Sequence, residues 1–189
     1  MELVAVALAI IYLLLAVKQN ILCWPAAIIS SSLYFFIMYS AGLYMEAYLQ
    51  IFYVFMGFYG WSQWHSNEAR LIVRTWTKRN HLFAFSSIIL LTLVSGYTLQ
   101  TYTDAVFPFI DALTTWGAII ATYMVAKKLI ENWIYWFVID AISVFLFLSR
   151  DLVFTSLLFV SYLIIIYFGY KSWKKILTEQ KKETIANKQ

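Results

Sequence analysis

Polar breaks cut the 189-residue chain into seven apolar runs, at 3–17, 21–39, 43–64, 82–99, 106–126, 133–148 and 152–170. Each is close to the roughly 20 residues that one helical crossing of a bilayer requires. The breaks are short: Lys18-Gln19-Asn20, Ser40-Ala41-Gly42, 100–105, Lys127-Lys128 and Arg150-Asp151. The exception is 65–81, which carries Arg70, Arg74, Lys78 and Arg79 among Leu71, Ile72, Val73 and Trp76, a mixture suited to the membrane surface. The tail from Lys171 to Gln189 is charged and is expected to fray into water. Glu2 precedes the first run and Lys18 follows it, the reverse of a signal peptide's polarity, so that run is read as the first helix.

Charge tests the count. With seven crossings, thirteen of the fourteen Lys and Arg residues fall on one side and Arg150 stands alone on the other. Basic residues in short loops collect in the cytoplasm, so the N-terminus is placed outside and the C-terminus inside. Composition agrees: 62% of residues are hydrophobic and 13% charged, with a mean hydropathy of +0.73, against about 25% charged in soluble domains. A water-soluble globule, a disordered chain and a nucleic-acid binder are all excluded, despite the net charge of +4. The single cysteine, Cys23, excludes a disulfide framework and a cysteine metal cluster.

The third and seventh runs end alike, in Phe58-Tyr59-Gly60-Trp61-Ser62-Gln63-Trp64 and Tyr167-Phe168-Gly169-Tyr170-Lys171-Ser172-Trp173. Leu49 and Tyr53 match Leu158 and Tyr162 at the same offset of 109. Asn20, Trp24, Ser31 and Phe35 match Asn132, Trp136, Ser143 and Phe147 at 112. The pattern predicts two three-helix units around one linking helix, a parallel repeat of the kind that holds substrate near the midplane. The corresponding domains are 1–64, a loop and linker helix at 65–105, 106–173, and a cytoplasmic tail at 174–189.

Polar groups inside apolar runs cost a few kcal/mol in hydrocarbon unless they face a partner or a wet cavity. Glu46, Gln50 and Tyr53 share one helical face, and Asn132, Trp136 and Asp140 repeat that spacing, with Trp133 beside them. Asp111 lies in the fifth run, where Trp116 is a further aromatic candidate, and Trp61 closes the third. No lysine, arginine or histidine lies within a run to neutralise the acids. A cationic aromatic solute would supply the missing charge and stack on the rings. Glu46 and Asp111 are also open to simple hydration near the outer interface. Trp64, Trp76 and Trp173 read as interfacial belts.

The stretch Asn132-Trp133-Ile134-Tyr135-Trp136-Phe137-Val138-Ile139-Asp140 resembles the W-x-x-W-x-x-x-(N/D) signature of the PnuC family of bacterial vitamin transporters. The likeness extends through Phe107-Pro108-Phe109-Ile110-Asp111, Gln50 and Tyr59-Gly60-Trp61. It implies an all-α inner-membrane protein of seven transmembrane helices in a SWEET-like 3+1+3 arrangement. It further implies facilitated diffusion of an unphosphorylated vitamin that a cytoplasmic kinase then traps. Trp133, Trp136 and Asp140 match the signature directly; Gln50, Trp61 and Asp111 match other parts of the pattern. Gly57 stands where nicotinamide riboside carriers tend to have Asn, and Glu46 where they are usually neutral. Both departures favour the thiamine-transporting, PnuT-like branch, with nicotinamide riboside as the alternative substrate.

Other classes fare worse. There is no phosphate-binding glycine–lysine loop for ATP, no lysine midway along the seventh run for a retinal Schiff base, and no nucleophile–base pair or metal-ligand set within a run. No enzyme activity, cofactor or metal is expected. A non-transporting receptor or assembly protein is the remaining rival, and a homo-oligomer is left open.

Overall fold

In the computed structural model, residues 2–40, 44–65, 72–103, 107–149 and 153–187 are described. They form seven helices: α1 Glu2–Val17, α2 Cys23–Ser40, α3 Tyr44–His65, α4 Lys78–Tyr102, α5 Pro108–Ala126, α6 Asn132–Leu148 and α7 Val153–Ala186. No named strand occurs among the described residues. α4, α5 and the 156–186 part of α7 are long and apolar enough to cross a membrane by length and composition; Leu3–Val17, Cys23–Ile37 and Asn132–Leu146 are apolar but shorter. At 1.5 Å per residue those shorter helices fall below a hydrocarbon core of about 30 Å. α3, rich in tyrosine and glutamine, meets neither description.

Six helices close into a ring. α1 packs on α2, α2 on α3, α3 on α5, α5 on α6, α6 on α7, and α7 returns to α1. α4 stands outside the ring against α5, with Phe85 stacked on Tyr135 of α6, and turns Leu82, Phe83, Leu90, Val94 and Tyr97 outward. Apolar surface of that extent suits lipid rather than water.

One end of the ring gathers the close of α1, α3 and α5, the start of α2 and α6, and Trp173 of α7 into a single buried cluster. At its centre Trp24 and Trp64 meet edge to face, 5.4 Å apart at 85°, and Trp133 and Trp173 repeat the contact at 5.4 Å and 89°. Gly60 and Gly169 permit it. A Cβ on Gly60 would strike the ring of Trp24, and one on Gly169 would lie 2.5 Å from Trp133 Cη2. These contacts pair Trp24 with Trp133 at an offset of 109, correcting the match of Trp24 to Trp136 that the sequence proposed. Trp64 and Trp173 are 4% and 0% exposed, so neither is an interfacial belt.

The ends of α1 and α5 are built identically. Asn20 N–H donates to Leu15 O and Gln19 N–H to Ala16 O, while Leu129 N–H donates to Met124 O and Lys128 N–H to Val125 O. Gln19 (φ 53°) and Lys128 (φ 54°) hold the left-handed position of this helix cap, which glycine usually fills. The Lys128 side chain is buried, its Nζ 4.7 Å over the Trp64 ring. Burial, with Arg74 adding repulsion and Cys23 opposing both, pushes its amine down to about 8.

At this end the described residues before α4 are tied to the turn between α5 and α6: Arg74 N–H donates to Lys128 O, Ile130 N–H donates to Arg74 O, and Val73 is buried while Ile72 is exposed. The tail does not fray at 171, because α7 continues to Ala186 with Ile176 and Leu177 packed on the tryptophan cluster.

Overpacking a core typically costs about 1–3 kcal/mol, more than the up to ~1 kcal/mol that alanine gains over glycine in a helix. Gly60→Ala is therefore expected to lower Tm by several degrees. Gly117→Ala, where the added Cβ meets only the movable Ile139 Cδ1 and Cγ1 at 3.2 Å, should leave Tm unchanged or slightly higher. Thermal unfolding in detergent compares them. A lysine whose folded value is depressed holds fewer protons folded than unfolded between about 8 and 10.5, so it lets stability rise with pH across that window. Lys128→Gln, which installs the residue of the equivalent cap, should raise Tm at pH 7 and remove that share of the rise.

Candidate functional site

α6 begins at the tryptophan end, so Asp140, eight residues in, sits about 12 Å into the ring at a rise of 1.5 Å per residue. It is 4% exposed. Among the described residues no donor or cation reaches its carboxylate, although burying an unpaired acid costs several kcal/mol. What surrounds it is phenolic. Tyr53 of α3 and Tyr162 of α7 lie within electrostatic reach of Asp140; Tyr34 of α2 lies within reach of Tyr162, and Tyr12 of α1 within reach of Tyr53. Tyr12 and Tyr53 are half-buried.

Trp136 lies one turn nearer the tryptophan end than Asp140. It is half-buried and packs on both apolar clusters, so it spans the floor of this space. Tyr12, 6.3 Å from Trp24, links that floor to the plug below. Gln50, half-buried on the face of Tyr53, lies one turn farther toward the opposite end. The arrangement offers one anionic group, several phenol hydroxyls, an amide and an indole face. It can hold a cation with a flat ring and hydroxyl groups.

Other residues singled out in the sequence go elsewhere. Trp61 is 41% exposed and faces away from the ring. Trp116 donates its indole N–H to Ser95 Oγ at 3.0 Å, so its polar edge is spent joining α5 to α4. Trp133 belongs to the plug. Asn132 is fully buried beside it, donating to the Leu129 carbonyl, while its Oδ1 has no partner. Asp111 is half-buried in the first turn of α5, where an acid is favoured by the helix dipole. About 22 Å separates it from the tryptophan end. The side chain of Glu46 lies outside the described residues.

The sequence reading left out Tyr12, Tyr34 and Tyr162. The repeat had already paired Tyr53 with Tyr162 at 109, and that pairing was the available signal. At this offset Asp140 corresponds to the buried Ser31 and Tyr34 to the buried Ser143. Acid and phenol therefore alternate with hydroxyls across the two halves.

The profile of the nicotinamide mononucleotide transporter family matches residues 1–175. The chain belongs to this family, the PnuC vitamin transporters. Two named transporters are similar to the chain. The nicotinamide riboside transporter PnuC of Escherichia coli is 26% identical over 187 residues, covering 84% of this chain and 78% of that protein. The riboflavin/roseoflavin transporter RibM of Streptomyces davaonensis is 25% identical over 180 residues, covering 91% and 83%. The crystal structure of the vitamin B3 transporter PnuC shares the fold with a TM-score of 0.76 at 24% identity, over 93% of this chain and 81% of that one. These relatives carry the names of transporters rather than enzymes, and the family is one of multi-pass inner-membrane proteins.

The two tryptophans so placed make a direct test. Trp136→Ala should weaken vitamin binding by tenfold or more, in line with about 1–3 kcal/mol per stacked ring, whereas outward-facing Trp61→Ala should change it less than twofold. Calorimetry on purified protein measures both.

Proposed function

We propose that this protein carries nicotinamide riboside across the inner membrane by facilitated diffusion, unphosphorylated, with a cytoplasmic kinase supplying the sink. The observation that carries the reading is Asp140: a buried acid with no cation beside it among the described residues, at mid-depth in a closed ring, among phenols on α3 and α7. The positive nicotinamide ring answers the acid, the indole of Trp136 can stack on it, and tyrosine hydroxyls and Gln50 can bond the ribose. A phosphate would meet Asp140 with no cation inside the runs to balance it. Nucleoside therefore suits the site better than nucleotide.

Thiamine was favoured by Glu46 and Gly57. Gly57 packs on α2, where an added Cβ would lie 2.5 Å from Ile28 Cγ1. An asparagine there would have no room beside Ile28, so its absence says little about the ligand. Glu46 alone then favours thiamine, whereas the likeness to the PnuC of Escherichia coli and to the vitamin B3 transporter structure favours nicotinamide riboside, with the riboflavin carrier RibM a third precedent.

In the proposed mechanism the solute enters from the end opposite the tryptophans and sheds water against Gln50 and the tyrosines. It rests with its charge at Asp140. The units α1–α3 and α5–α7 then rock about two seams, α3/α5 and α7/α1, with α4 as the linker of a 3+1+3 parallel repeat and seven crossings. In this reading the basic tryptophan end is cytoplasmic and the N-terminus lies outside, with domain limits at 64, 105 and 173. No ion gradient or nucleotide is needed.

Proteoliposomes should take up labelled nicotinamide riboside to equilibrium only; empty vesicles would favour a receptor. Asp140→Asn should weaken nicotinamide riboside binding at least tenfold, about 1.4 kcal/mol, and the uncharged reduced riboside far less. Equal losses for the two would assign Asp140 to the fold. Thiamine and riboflavin titrated alongside rank the substrates.

A further inference from the structure

We infer that the tryptophan end is the inner gate of the transport path, latched by Trp64 and Trp173 donating across the two seams between halves. The inference rests on the carrier reading above. Each seam is closed by the same device. Trp64 Nε1, at the close of α3, donates to the last carbonyl of α5, Ala126, at 3.1 Å. Trp173 Nε1, on α7, donates to Ala16 near the end of α1, also at 3.1 Å. Carbonyls in a final helical turn run short of intrahelical donors; the Trp64 indole serves such a group at Ala126, and the Trp173 indole adds a second donor to Ala16 O, which also accepts from Gln19 N–H. The two rings stand 6.4 Å apart and are almost fully buried. They fill the ring at the level of Cys23, Trp24 and Trp133. A solute leaving the site by this end must part them, and opening either seam breaks one of these bonds.

The seams are not equally held. α3/α5 also carries Lys127 Nζ donating to Gln63 Oε1 at 2.7 Å, the Lys127 ammonium over Tyr59 at 5.1 Å, and Tyr59 stacked on Tyr123. Lys128 adds its ammonium over Trp64. Across α7/α1, Ser172 Oγ donates to Val17 O at 3.3 Å beside the Trp173 bond. α7/α1 is therefore the side that opens.

Cys23, the chain's one cysteine, is fully buried in this layer and reports the opening. In oriented vesicles, a membrane-impermeant maleimide should label Cys23 slowly from the tryptophan-end side and not from the other. Trp173→Phe should raise that rate roughly five- to tenfold, the scale of one hydrogen bond. Trp64→Phe should raise it less, and the outward Trp61→Phe not at all; Cys23→Ser supplies the blank. Nicotinamide riboside affinity should stay unchanged in all three phenylalanine variants. Unaltered labelling in folded, monodisperse Trp173→Phe protein overturns the gate, and so does labelling of the wild type only from the opposite side, which needs no variant. A wild type that binds no vitamin overturns the carrier reading instead, while the labelling still shows whether this end opens.

Discussion

The contact between two bare glycines and two tryptophan rings decides how the helices of this ring stand. Trp24 lies on Gly60 and Trp133 on Gly169, so α2 approaches α3, and α6 approaches α7, more closely than any side chain would allow. The large rings are thereby delivered to the axis, where each meets a second tryptophan from its own half. In lipid there is little hydrophobic drive to bring helices together, so close packing and shared hydrogen bonds must do it. Both are concentrated at one end of this molecule. The indoles of Trp64 and Trp173 then reach across to the other half, turning two similar bundles into one ring.

A sealed end shapes the site. Above the tryptophan layer the ring is lined by half-buried tyrosines and by the buried Asp140, with Tyr53 and Tyr162 within electrostatic reach of it. Had a lysine stood beside Asp140, the pair would be self-sufficient and a cation would have to displace it. The charges instead lie at the tryptophan end, where Lys127 and Lys128 rest on aromatic faces. The acid thus lies at mid-depth and the basic side chains lie at the tryptophan end.

The sequence made the helices legible because a membrane crossing demands an unbroken apolar run, and six of the seven helices begin and end within a few residues of those runs. The charge of the segment after Tyr170 marks a free tail in the sequence, whereas Ile176 and Leu177 hold the extension of α7 to the bundle. Asp140 stood out because an acid in hydrocarbon is costly; Tyr12, Tyr34 and Tyr162 did not, because a phenol among 14 tyrosines carries no contrast. Trp61, Trp64 and Trp173 were misplaced for a related reason. Aromatic rings are at home in the interface, the lipid and the core alike, so residue type alone cannot say which way a helix turns them.

The repeat helps most where composition is silent. Equivalent caps at Gln19 and Lys128, both in the left-handed conformation despite their side chains, fix the offset at 109 more firmly than letter matches did. With that offset, departures from symmetry become informative: Asp140 against Ser31, Tyr34 against Ser143, Asn132 against Cys23. Positions that only hold the ring together should satisfy both halves with the same residue, as Gly60 and Gly169 or Trp64 and Trp173 do. Positions facing an asymmetric solute have reason to differ. Asp140 is the departure that introduces a charge, and it lies on the axis side among tyrosines drawn from both halves.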